Sequence, residues 1–165
     1  MVPVTQYPVY GALCAKHDFG QVNYYLDEAN GWALDIAELE RAHRENSSKY
    51  DIRLLVVINP GNPTGQVLTR QNLEAIARFA YKHRLFVFAD EVYQENVYAE
   101  GSEFHSFKKV VSELGPPYST EIEVASFHTC SKGFICVCGM AGYVELLNVD
   151  PEVVGQYGKM QSACH

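Results

Sequence analysis

Four stretches of the chain run apolar with little alternation: residues 53–58 (RLLVVI), 85–89 (LFVFA), 122–127 (IEVASF) and 141–147 (AGYVELL). Short runs of branched and aromatic residues are what strands covered on both faces require. Residues 21–26 give a weaker fifth strand. Between these runs the period lengthens. After Thr69, a residue able to cap a helix, Leu73, Ile76, Ala77 and Ala80 recur on one helical face. Asp35 with Glu38 three positions on reads as a capping box, opening a polar helix that runs to about Glu45. Three further helices are predicted: a short one ending near Lys16 after the proline-broken segment 4–10, one over 107–114 with Ser106 as its cap, and one over 151–160 with Pro151 in its first turn. Buried strands alternating with amphipathic helices predict an α/β fold, a mostly parallel sheet with flanking helices and right-handed crossovers.

In such sheets ligands sit beyond the carboxyl ends of the strands, so the residues that follow each run carry the functional information. The first run is followed by NPGNPTG (59–65), dense with turn formers, the second by Asp90 and Tyr93, and the third by HTCSKG with Thr129, Ser131 and Lys132. Asn62, Asp90 and Lys132 therefore lie just past the ends of three separate strands, and the fold brings them to one rim. A lysine held at the end of a core strand is partly desolvated, which favours the neutral amine that attacks carbonyls. A carboxylate closing an apolar strand requires a cationic or hydrogen-bonding partner. Around this pair stand a phenol (Tyr93), an amide (Asn62) and two hydroxyls (Thr129, Ser131). A planar heterocyclic aldehyde carrying a phosphate would use them all. The lysine would form a Schiff base and the aspartate would keep the ring nitrogen protonated. The phenol and amide would bind the ring oxygen, and the hydroxyls the phosphate. That is pyridoxal phosphate chemistry. Taken singly, each residue has a plainer role: Asn62 and Gly65 shaping a turn, Asp90 capping a loop, Tyr7 and Tyr93 filling core with a wet tip, Thr129 and Ser131 capping turns. The combination in one order is what argues against those roles.

NPGNPTG, ADEVYQ and the SKG lysine, in this order and spacing, resemble the class I aminotransferases of pyridoxal phosphate fold type I. Longer stretches, QVNYYLDEANGWALD, VVINPGNPTGQV, FADEVYQENVYAEGSEFHSFKKV and ASFHTCSKG, are similar to the alanine aminotransferase branch of that family, and the likeness extends to about residue 160. The resemblance implies that Lys132 holds pyridoxal 5′-phosphate covalently and shuttles the proton between the substrate α-carbon and the cofactor. It implies that Asp90 pairs with the pyridinium nitrogen, that Tyr93 and Asn62 bond the ring oxygen, and that Thr129 and Ser131 face the phosphate. Tyr7 matches the aromatic residue stacked on the ring, Tyr10 a neighbouring family tyrosine, and Gly65 a glycine that permits close approach of the loop. For the intact parent the implied reaction converts L-alanine and 2-oxoglutarate to pyruvate and L-glutamate, in a cytoplasmic homodimer, with the mitochondrial matrix as the other compartment. A carbon–sulfur lyase or cyclase of the same fold, and an inactive truncated paralogue, are the alternatives.

Composition narrows this further. The chain has 165 residues, 47% hydrophobic and 20% charged, the make-up of an ordinary globular core. A net charge of −7 without a basic stripe makes nucleic acid and anionic membrane poor partners. No apolar run approaches the roughly 20 residues that span a bilayer. Five cysteines, an odd number, fit reduced thiols better than a disulfide scaffold. His128, Cys130, Cys136 and Cys138 crowd together, but CxC is not the CxxC knuckle of structural zinc, so no metal is expected.

The chain also departs from the family. Where an arginine clamping the cofactor phosphate is expected, at Met140 or Ala141, there is none, and no arginine occurs after Lys132. The small domain with its substrate-carboxylate arginine and an upstream phosphate-binding loop fall outside the sequence, and residues 161–165 (QSACH) do not look like family sequence. The expectation is a partial large domain, inactive alone.

Overall fold

The apolar runs become the centre of a sheet in a computed structural model that describes residues 1–133 and 141–163. Strands β3 (Leu54–Ile58), β4 (Phe86–Asp90), β5 (Val124–Thr129) and β6 (Gly142–Leu147) pair in that order. The first two pairings are parallel and the last is antiparallel. A smaller parallel pair, β1 (Val2–Val4) with β2 (Asn23–Tyr25), joins the β3 edge, where Val56 N donates to Met1 O at 2.9 Å. Neither β1 nor the one-turn α5 (Tyr118–Glu121) was legible as an element in the sequence.

β3 shows why its sequence is continuously apolar. Leu55 and Val57 face a core shared with Leu73, Ile76 and Ala77 of α3 (Arg70–His83) and with Phe107, Val110 and Val111 of α4 (Phe107–Glu113). Val56 and Ile58 face the other way, against Val2 and Tyr10 of α1 (Val9–Lys16). Both faces are covered, so no polar residue is admitted. The Thr69 hydroxyl oxygen accepts from Asn72 N at 3.2 Å and starts α3 as expected.

Two caps differ from expectation. In α2 (Ile36–Asn46), Asp35 Oδ1 accepts from Ala37 N at 2.9 Å, but Glu38 does not reach back to complete a capping box. Its Oε1 instead accepts from Tyr25 N at 3.0 Å, and it pairs with Arg41 at 2.6 Å. An open strand N–H and a guanidinium together outbid the box. At α4, Ser106 makes no cap bond, and Phe107 N donates instead to Glu91 Oε1 at 2.6 Å.

Residues 141–147 form a strand, but not a buried one. β6 is the antiparallel edge of the sheet, with Gly142, Tyr143 and Glu145 exposed. Its exposure fits an edge that is covered on one side at most. α6 (Pro151–Ser162) is capped by Asp150 and leaves Val153, Val154, Tyr157 and Met160 exposed. The segment read as unrelated to the family, 161–165, begins inside α6, and its last two residues lie outside the described part of the chain.

Candidate active site

The register of the sheet aligns three strand tips. Ile58 stands opposite Asp90, and Asp90 opposite Phe127. Asp90, 8% exposed, is the last residue of β4. Tyr10, in the first turn of α1, donates its hydroxyl to Asp90 Oδ2 at 2.5 Å, while Val92 N donates to Oδ1 at a long 3.4 Å. Burial, and then the Asp90 carboxylate, push the Tyr10 phenol well above its ordinary range. This contact joins residues 80 apart in sequence. Spacing alone could not have revealed it.

The NPGNPTG loop is pinned to the same tip. Asn59 N donates to Asp90 O at 3.0 Å, and Asn59 Oδ1 accepts from Leu68 N at 2.8 Å. Within the loop Gly61 N donates to Gln66 O, and Gly65 N to Gly61 O, both at 2.9 Å. Gly65 is required by its backbone, with φ at +75°, rather than by crowding, since among the described residues no atom beyond its chain neighbours lies within 4 Å of where its Cβ would stand. Asn62 projects from this loop into the wall of the cleft described below.

Lys132 lies not at the end of β5 but in the turn beyond it, half-buried. Its Nζ stands 5.8 Å from the centroid of the Tyr93 ring, within cation–π range. Ser131 N donates to Thr129 Oγ1 at 3.2 Å, and the Thr129 hydroxyl is itself 3.1 Å from Ser131 Oγ and 3.2 Å from Ala141 O. The two hydroxyls are thus held side by side next to the lysine.

Tyr7, Tyr10, Asn62, Asp90, Tyr93, Thr129, Ser131 and Lys132 all line one cleft of about 400 Å³, together with the apolar Ile58, Val92 and Phe127. That is the size and mixture of small-ligand sites, apolar walls with a few converging polar groups. The sequence-predicted residues therefore meet at one place. Tyr10 and Asn59 are the residues whose roles were missed.

The donor set fits pyridoxal 5′-phosphate on one side and is thin on the other. A buried carboxylate with a single short hydrogen bond has acceptor capacity left for a ring N–H. An amine, a phenol and an amide lie across the same cleft from it. For the phosphate there are hydroxyls and backbone, but among the described residues Lys132 is the one cation in the lining. Ala141 turns a carbonyl, an acceptor, toward Thr129. Met140, Cys136 and Cys138 lie outside the described residues.

A family model described as "Aminotransferase class I and II" matches residues 1–164. The chain is 60% identical over 163 residues to alanine aminotransferase 1 of Rattus norvegicus, covering 98% of this chain and 33% of that protein. It thus spans about a third of the length of the curated relatives it matches. Among solved structures, an aminotransferase from Escherichia coli superposes with a TM-score of 0.74 at 26% identity, covering 92% of this chain and 34% of that one. A PLP-bound C–S lyase from Staphylococcus hominis gives a TM-score of 0.75 at 18% identity, over 96% of this chain and 37% of that one. At that identity the likeness speaks for the fold alone.

Proposed function

The chain belongs to the aminotransferase class I and II family, and from that premise we propose that it is the cofactor-binding part of an alanine aminotransferase. The cofactor of this family is pyridoxal 5′-phosphate. When bound, it supplies an electron sink that lets the α-proton of an amino acid leave.

The chain's own residues divide the remaining work. Lys132 would hold the cofactor through Nζ and would be the group that takes and returns a proton. Asp90 would keep the ring nitrogen protonated, with Tyr10 holding one carboxylate oxygen so that the other stays turned to the ligand. Asn62 and Tyr93 would reach the ring oxygen, Thr129 and Ser131 the phosphate, and Tyr7 the ring face. The apolar lining residues Ile58, Val92 and Phe127 would limit the water that reaches the bound group. The substrates in the intact parent would be L-alanine and 2-oxoglutarate, giving pyruvate and L-glutamate, in a homodimer of the cytoplasm or the mitochondrial matrix. The 60% identity to an alanine aminotransferase favours transamination over lyase or cyclase chemistry.

The observation that carries this reading is that Asp90, at the tip of β4, and Lys132, in the turn after β5, line one cleft. Incubation with pyridoxal phosphate followed by borohydride, with peptide mass analysis, tests it. A reduced adduct concentrated on Lys132, and lost in Lys132→Ala, is expected. An adduct spread evenly over surface lysines would overturn it. Among the described residues no arginine lines the cleft, which favours a second reading, an inactive relative, and that reading predicts no Lys132 adduct.

A further inference from the structure

The residue after Asp90 is buried more deeply than Asp90, yet has no part in the cleft. Glu91 is 3% exposed. Its Oε1 accepts from Phe107 N, the first residue of α4, at 2.6 Å. Its Oε2 accepts from Ser126 Oγ of β5 at 2.6 Å and from Ser106 Oγ at 3.2 Å. A carboxylate this deep is costly unless fully bonded, and among the described residues three donors and no cation hold it. Burial outweighs those donors and moves its carboxyl above the ordinary range. A serine cap, which the sequence offers at Ser106, would have started α4 without burying a charge. What a serine cannot do is take donors from a helix and a strand together.

Those donors bear on Asp90 through a short path. Asn59 N donates to Asp90 O at 3.0 Å, and Glu91 N donates to Phe127 O at 3.1 Å. The peptide between Asp90 and Glu91 is therefore tied to β3 on one side and to β5 on the other. The Glu91 carboxylate ties the same backbone to α4. Strand alternation sends Ala89, Glu91 and Ser126 to the α4 side and Asp90 to the cleft.

We propose that Glu91 is a positioning residue for Asp90: its carboxylate locks the β4 tip to β5 and α4, so that the Asp90 carboxylate stays against Tyr10 and open to the cleft. The importance of Asp90 rests on the function proposed above, whereas the positioning itself is a property of the protein without cofactor.

Aspartate carboxyl-carbon NMR, with the Asp90 resonance assigned from Asp90→Asn, reads that property directly. Glu91→Gln keeps an oxygen for Phe107 N and offers an amide to hydroxyls that can also accept. It is expected to leave the Asp90 resonance in place and the Lys132 adduct yield within about twofold, a conservative rescue on the scale of a retained supporting contact. Glu91→Ala is expected to displace the resonance and to raise the pyridoxal phosphate needed for half-maximal adduct by about tenfold. Circular dichroism checks folding. If Glu91→Ala does not fold, the Ser106→Ala/Ser126→Ala double variant removes two donors while keeping the carboxylate, and the same displacement is expected in smaller measure. A folded Glu91→Ala, or the folded double variant in its stead, with the Asp90 resonance unmoved would overturn the proposal. Should the resonance shift while the wild-type chain forms no adduct at Lys132, the positioning stands and the cofactor reading fails.

Discussion

Tyr10→Phe removes one oxygen and leaves the ring. The ring packs with Val2, Val56 and Ile58, contacts that phenylalanine keeps. What is lost is the 2.5 Å hydrogen bond to Asp90 Oδ2, on a carboxylate only 8% exposed whose other bond, from Val92 N, is stretched to 3.4 Å. Hydrogen bonds to charged groups contribute about 1.5–3 kcal/mol, and an orphaned buried acceptor loses its share in full. The expected cost is about 2 kcal/mol, roughly 30-fold in the folding equilibrium. Urea unfolding at neutral pH measures it as a lower midpoint at unchanged slope. A cycle with Asp90→Ala, which leaves no side-chain oxygen to accept from Tyr10, isolates the pair, and a coupling of about 1.5–3 kcal/mol is expected.

The pH dependence follows from the direction of the Tyr10 shift. The folded phenol is raised above its ordinary value of 10.0, so its contribution is complete below that value. It is lost only as pH rises through the folded value. The gap between wild type and Tyr10→Phe should therefore stay constant through neutrality and narrow only in strong alkali. A cost under about 0.5 kcal/mol with no coupling to Asp90, the scale of an ordinary surface change, would refute the reasoning.

Two further predictions concern the scaffold. Ile76, 0% exposed between α3 and the sheet, should cost about 3–4 kcal/mol as Ile76→Ala, read from the urea midpoint. A cost near 1 kcal/mol would mean that the α3 interface collapses into the space. Glu40 bonds Lys82 Nζ at 2.7 Å and His83 Nε2 at 3.0 Å, linking α2 to α3. The Lys82 contact above all holds the Glu40 carboxyl below the ordinary 4.5, so its contribution is present above that value and lost as pH falls through the folded one. Both partners are partly solvated, so Glu40→Gln should cost at most about 1 kcal/mol at neutral pH in a thermal or urea series. The difference should vanish in acid, where Glu40 is protonated in the folded and unfolded chain alike. A gap that persists in acid would count against the ion pair.

The strand core was legible because burial on both faces leaves an unbroken signature, and the rim because turn formers and polar groups follow each run. What local pattern could not supply was cover and distance. Residues 141–147 look like a core strand in isolation, yet β6 ends the sheet, and a neighbouring layer is not written into the strand. Thr69 and Asp35 cap their helices because the backbone N–H donors they accept from lie within two or three residues. Glu38 and Ser106 do not, because a partner from another element competes for each: Tyr25 N for the first, Glu91 for the second. Lys132 lines the cleft from the turn beyond β5, so its place depends on that turn as well as on the strand before it. Tyr10 carries chemistry only through a residue 80 positions away.

Two neighbouring carboxylates at a buried strand tip look like an electrostatic fault until their partners are separated. Asp90 takes its donors from Tyr10 and Val92, and Glu91 takes its donors from Ser106, Phe107 and Ser126. No donor is shared, and strand alternation sends the two acids to opposite sides. The order also matters. A slip of one residue would exchange faces along the strand, turning the longer acid into the cleft and the shorter one toward α4. Aspartate has one methylene fewer, too little reach to take the Phe107 N–H and the Ser126 hydroxyl at once. The Asp–Glu sequence is therefore tied to the register of β4 against β3 and β5, and the site depends on the pairing of the sheet as much as on the acids themselves.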